Sequence, residues 1–141
     1  MAKVIQVLST GKQQLLEINV SQANVVIEDV PCNSSVYVGA VVRMSSGTAI
    51  NAIADSVINS NMIGVCESKS SSVLCNVRVL GISLAIFSGL DETKEYFLSD
   101  TVEGGITTTI PTTSGHVVLK IGQPYSTTEM LILKGQRSVR A

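Results

Sequence analysis

The 141-residue chain is 45% hydrophobic and only 15% charged, with a formal net charge of −1 and a mean hydropathy of +0.36. A charge fraction well under the ~25% usual for soluble domains, with no basic excess, excludes a general electrostatic footprint for nucleic acid. No apolar run approaches the ~18 residues a membrane span needs, and the length fits one domain with a modest core.

The N-terminal run Met1-Ala2-Lys3-Val4 lacks a signal-peptide layout. Lys3 to Leu8 and Leu15 to Val20 read as strands parted by Ser9-Thr10-Gly11, and residues 23–30 as a third strand ended by Pro31, Asn33 and Ser34. Residues 1–35 are an N-terminal arm or extra hairpin, or equally one edge of the same sheet. Val36 to Met44 is largely apolar and reads as a central strand, Ser45-Ser46-Gly47 as a turn, and Thr48 to Ala54 as a continuation in small residues. Asp55 to Asn61 is a polar loop.

Met62 to Glu67 and Val73 to Leu80 form the clearest hairpin, closed by Lys69 to Ser72. A symmetric register sets Met62 opposite Val79, Gly64 opposite Val77 and Cys66 opposite Cys75. One face is then apolar or small, and the other carries Glu67, Asn76 and Arg78. Gly81 suggests a bulge or bend before a strand at Ile82 to Phe87. Asp91 to Glu95 is a solvated loop. Tyr96 to Ser99, Ile106 to Ile110, His116 to Gly122 and Met130 to Leu133 are the remaining strands. Lys134 to Ala141 is a polar tail with Lys134, Arg137 and Arg140 and no acid, read as a disordered terminus or as a contact for an acidic partner.

The expected fold is all-β: a small sandwich or barrel of short, mainly antiparallel strands. It divides into an arm or hairpin (1–35), a β domain (36–133) and a basic tail (134–141). Two stretches echo each other. Gly47 to Gly64 and Gly105 to Gly122 have the same span, 64 − 47 and 122 − 105 both being 17, and close on Ile63-Gly64 and Ile121-Gly122. Each follows a Tyr-led segment, at Tyr37 and Tyr96. The echo indicates two pseudo-repeated halves or is a coincidence of generic β sequence.

Reaction chemistry is not visible, and no catalytic, cofactor-binding or metal-ligating residues are assigned. Cys32, Cys66 and Cys75 have no Cys-x-x-Cys spacing, and the one histidine, His116, completes no zinc set with them. The thiols are expected reduced and buried. His116 has no recognised partner motif, no Gly-x-Ser-x-Gly elbow exists, and Val102-Glu103-Gly104-Gly105-Ile106 lacks the end of a phosphate loop. The acidic pairs Glu28-Asp29 and Asp91-Glu92 sit at predicted turns. With no Trp and 4% aromatics, a sugar-stacking surface is poorly supplied.

The run Val38-Gly-Ala-Val-Val-Arg, Ser46-Gly-Thr-Ala, Ala52-Ile-Ala-Asp-Ser and Ile63-Gly-Val-Cys-Glu resembles a pattern of bacteriophage structural proteins. So does Glu95-Tyr-Phe-Leu-Ser-Asp, Gly104-Gly-Ile-Thr-Thr, Gly115-His-Val-Val and Ile121-Gly-Gln-Pro-Tyr-Ser. Similar domains occur in capsid decoration proteins and in head- and tail-fibre components. The resemblance spans 36–133, lies in glycine placement and small-residue texture, and carries over no functional residue. It implies a non-enzymatic virion protein, assembled in the host cytoplasm. That protein would be a capsid decoration (cement) or head-fibre piece, a homo-oligomer (a trimer favoured) that docks on a major capsid or tail protein, without nucleic acid or membrane. Two other readings stand beside it: a tail-fibre or receptor-binding module for glycans, and a small ligand-binding barrel or enzyme.

Overall fold

The computed structural model describes residues 3–9, 13–19 and 24–141, the first two by their backbone pairing. Strands make up 47% of the chain and no helix is present among the described residues, so the protein is all-β, as the alternation predicts. Strands β1 (Lys3–Ser9) and β2 (Gln13–Asn19) form an antiparallel sheet of their own. The other ten form one antiparallel sheet curled into a half-barrel. They are β3 (Val25–Pro31), β4 (Val41–Ser45), β5 (Thr48–Asn51), β6 (Met62–Ser71) and β7 (Leu74–Ile82), followed by β8 (Tyr96–Leu98), β9 (Ile106–Thr107), β10 (Val117–Pro124), β11 (Met130–Ile132) and β12 (Arg137–Val139). The order is β5-β4-β6-β7-β11-β10-β8-β9, with β3 on β7 and β12 on β10.

The two echoing stretches have the same topology. In each, a hairpin puts its first strand against the strand that follows: β5-β4-β6 in one, β9-β8-β10 in the other. The repeated Ile-Gly has a steric reason in both. A Cβ on Gly64 would lie 2.2 Å from the Arg78 carbonyl oxygen, and one on Gly122 would lie 2.1 Å from that of Leu131. Only glycine lets the neighbouring backbone come this close. Both glycines also sit at breaks in register, where β6 meets β4 and where β10 meets β8. The β4–β5 turn is tight: Ser45 pairs Thr48, and Ser46 and Gly47 both have positive φ, the geometry of a type I′ hairpin.

The sheet is buried on both faces near its middle. Val41, Met62 and Val65 join a large cluster with Leu98, Leu119, Ile121, Met130 and Ile132 inside the half-barrel. Their chain neighbours Val42 and Cys66 belong to a second cluster with Val30, Cys32, Val36, Cys75 and Val77. Adjacent residues on β4 and β6 thus serve opposite faces, which explains why these strands read as continuous apolar runs. Each fully buried Val, Leu, Ile or Met contributes ~1.5–3 kcal/mol.

Several local expectations are corrected. The β6–β7 hairpin is longer than predicted, closing on Ser71 and Leu74 rather than around a Lys69–Ser72 loop. Its register departs from the symmetric one by four at the turn, where Ser71 faces Leu74, by three where Lys69, not Cys66, faces Cys75, and by two where Cys66 faces Val77 and Val65 faces Arg78. The later turn sets the displacement, and two register breaks, at Lys69/Ser71 and Cys66/Ser68, each take it down by one. At Cys66 the net displacement is even, which keeps it on the expected face, and Cys66 and Cys75 share one cluster without being direct cross-strand partners. The predicted strand at 36–44 begins only at Val41, because the Ala40 N–H closes a turn onto the Tyr37 carbonyl. The one predicted at 82–87 is loop after Ile82. There the Ser83 side chain accepts the Met130 N–H, and the Ser83 N–H goes to the Met130 carbonyl. Gly81 lies within β7, at φ 104, and does not end it. The strand expected over 106–110 is only Ile106–Thr107. Of the tail, Arg137–Val139 is strand β12 on β10, rather than disordered. Within 1–35, β1 and β2 stand apart while β3 belongs to the main sheet.

Candidate functional site

The most prominent surface feature is an apolar sheet face. β3, β4, β6 and β7 present Ile27, Val30, Met44, Ile63 and Val79 around a hollow of about 450 Å³. No polar side chain lines it. Ile27 is 46% exposed and Met44 37%, while Val30 forms the floor at 6%. The register break opposite Val42 and Arg43 positions Ile63. It packs on the same cluster as Cys66, three residues on, an odd spacing that unbroken alternation forbids. Next to the hollow, β3 forms a ladder only with β7 among the described strands; its far end is closed against β5 by the Cys32–Ala49 bridge, while the edge at its start is open, with Val25 43% exposed. Asp29, at φ 53 and a register break, kinks that edge and blunts it.

Beneath this face a buried ion pair locks the strands. Arg78 Nε donates to Glu67 Oε2 at 2.7 Å and Nη2 to Oε1 at 3.0 Å, with both side chains under a tenth exposed. Arg78 Nη1 reaches Asn24 Oδ1 at 2.9 Å, and the Leu84 N–H donates to Glu67 Oε2 at 3.1 Å. The pair thereby joins β6, β7, the lead into β3 and the loop after β7. Sequence alternation put Glu67, Asn76 and Arg78 on the face opposite the apolar one; the structure shows that Glu67 and Arg78 are buried there.

The three cysteines are free and buried in the second cluster. Burial, with the adjacent Cys32 and Cys66 thiols, pushes Cys75 up to about 12, and burial also raises Cys66. Neither is a thiolate near neutral pH, so neither is a nucleophile there. His116, placed just before β10, bonds through Nδ1 to Asp100 Oδ2 at 2.8 Å, with the two side chains 25% and 18% exposed. This partner, 16 residues away, had no signal in the sequence. The dyad borders a hollow lined by Ser99, Asp100, Thr101 and the 107–113 loop. Ser99 Oγ accepts the Thr101 and Val102 N–H groups in its own turn, and among the described residues the His116 ring bonds to the Asp100 carboxylate rather than to a hydroxyl. The acids also have local roles. Asp29 lies in β3, and Asp91 caps Thr93, whose two hydrogen bonds hold the carboxyl below its usual range.

The tail cations tie the end of the chain to the 57–62 segment. Lys134 Nζ donates to the Met62 carbonyl at 2.9 Å and to Asn61 Oδ1 at 3.1 Å, and Arg137 reaches the Val57 carbonyl at 3.3 Å. Burial, then the nearby Arg137 charge, lowers the Lys134 ammonium. Among the described residues no three His, Cys, Asp or Glu side chains are grouped to hold a metal ion, and no helix is long and apolar enough to cross a membrane. No protein-family model, curated protein or solved structure matches the chain.

Proposed function

We propose that this chain is a non-enzymatic structural protein of a bacteriophage particle, a capsid decoration or head-fibre component that self-associates and docks on the shell. The observation that carries the self-association is the apolar β3–β4–β6–β7 face. An uncharged hollow beside the open start of β3 leaves apolar surface and backbone groups wet in a monomer. A second copy covering it removes both liabilities, and a specific interface needs roughly 1,200 Å² in total. The virion assignment and the preference for a trimer rest on the resemblance of 36–133 to phage structural domains.

The docking element we propose is the β1–β2 hairpin. The tail, the other candidate, is tied into the sheet by β12. β1–β2 pairs with no strand of the main sheet, and a lone two-stranded hairpin is marginal in water until something covers it. The test is co-sedimentation with purified particles, comparing the full chain with one lacking residues 1–23, a cut that spares β3. Binding by the full chain and loss in the truncated chain is the expected result. Failure of the full chain to sediment with heads or tails would remove the virion assignment.

A further inference from the structure

Two segments whose sequences read as strands, 36–40 and 83–87, are loops instead, and both line one cleft of about 440 Å³. Apolar sequence kept out of a sheet is a local conflict of the kind that gathers at functional sites. The composition of the cleft is equally unusual for this chain. There are three Tyr, two Phe and no Trp in the whole sequence. Tyr37, Phe87 and Tyr96, three of those five, line this cleft.

The walls are held in place. The Tyr37 hydroxyl donates to the Glu103 carbonyl at 3.0 Å, which fixes a ring that is still 43% exposed. The Phe87 N–H donates to the Thr128 carbonyl at 3.0 Å, and the Phe87 ring packs on the main core. Tyr96 is buried at the back, its hydroxyl accepting the Asp91 N–H at 2.8 Å. Gly39 turns the 36–40 loop at φ 93, a conformation L side chains rarely adopt, and a Cβ there would meet the Ile86 carbonyl oxygen at 3.7 Å and Phe87 Cε1 at 3.8 Å, ordinary contact distances. The volume is that of a small-molecule site.

Chemistry narrows the ligand. None of the residues lining the cleft is charged, so a charged ligand would lose its hydration without a counter-charge. A hydrocarbon would fit the aromatic faces but leave the glycine-loop backbone groups and the Ser88 hydroxyl without partners. A ring with one apolar face and a hydrogen-bonding edge satisfies both. We propose that this cleft binds a neutral saccharide, its ring stacked on Tyr37 and Phe87 and its hydroxyls hydrogen-bonded to the surrounding loops. The low aromatic content of the sequence argued against a sugar surface, but clustering, not content, decides whether a platform exists. The cleft and the apolar face share no residue, so this binding is separate from assembly.

The test is a titration of the ¹⁵N-labelled full chain with maltotriose, cellotriose, mannotriose and chitotriose, and with trigalacturonic acid as an anionic comparison. The expected result is saturable amide shifts confined to 37–39, 86–89 and 104–106 with at least one neutral sugar and none with the acid. Tyr37→Leu and Phe87→Leu, which keep apolar volume and remove the aromatic face, should each weaken binding about tenfold while the rest of the spectrum is unchanged. No saturable shift with any neutral sugar up to about 50 mM, shifts centred elsewhere, or wild-type affinity retained in both Leu variants would overturn the proposal.

Discussion

Replacing Arg78 by leucine isolates the buried ion pair. The substitution removes the 2.7 and 3.0 Å hydrogen bonds to Glu67 and leaves that carboxylate with the 3.1 Å bond from the Leu84 N–H. A charge that is 6% exposed and has lost its counter-ion destabilises the fold by ~3–5 kcal/mol. Set against the roughly 5–15 kcal/mol by which whole domains are stable, that is a large share. The companion double variant, Glu67→Leu with Arg78→Leu, removes both charges. What it leaves is a Leu84 N–H without its acceptor, worth about 1 kcal/mol. Urea unfolding of the wild type, both single variants and the double variant forms a complete cycle. Arg78→Leu should lose at least ~3 kcal/mol and the double variant should recover more than half of that. A single variant within ~1 kcal/mol of wild type, or a double variant as unstable as the sum of the singles, would refute the reading of a covered, mutually dependent pair.

Gly64→Ala and Gly122→Ala each drive a methyl into a neighbouring carbonyl oxygen, whereas at Gly89 and Gly115 nothing lies within 4 Å of the added Cβ. The first two should lower the melting temperature far more than Gly89→Ala or Gly115→Ala, whose positive φ costs about 1 kcal/mol. The cysteines give a pH prediction. Unfolded Cys75 ionises near 9.0 while the folded thiol stays protonated to about 12, so unfolding releases a proton at alkaline pH. Its contribution to stability is therefore intact below pH 9.0 and is lost as pH rises toward 12. Denaturant melts between pH 8 and 11 should show this decline, and a flat profile that Cys75→Ala leaves unchanged would contradict it. In the folded protein at pH 8, alkylation should be negligible at all three thiols, with three reacting after denaturation.

The sequence was legible where side-chain period and turn chemistry act alone. Ser46-Gly47 marks a tight hairpin, and the recurrent Ile-Gly pairs mark the places where strands come too close for a Cβ. What could not be read depends on backbone irregularity or distant partners. The register of β6 and β7 departs from the symmetric one by four at the turn and by two at Cys66, in steps set by bulges that no side chain announces. Segments 36–40 and 83–87 have the apolar texture of strands but spend it on lining a cleft and packing on the cores. Glu67 and Arg78 alternate correctly to the polar side of the hairpin, yet the loop after β7 and Asn24 fold over them. Asp100 and His116 come together only when β8 and β10 align. The apolar face has no contiguous signature, because its residues come from four strands whose order the sequence does not state.

Sedimentation equilibrium of the full chain tests self-association through that face most directly. Ile27 and Met44 are 46% and 37% exposed, so glutamate at either position leaves the fold largely undisturbed while charging the hollow. The wild type should sediment as an oligomer at micromolar concentration, with a trimer mass favoured, and Ile27→Glu combined with Met44→Glu should sediment as a folded monomer. A wild type that remains monomeric at tens of micromolar, or a double variant that keeps the wild-type mass, would contradict the account.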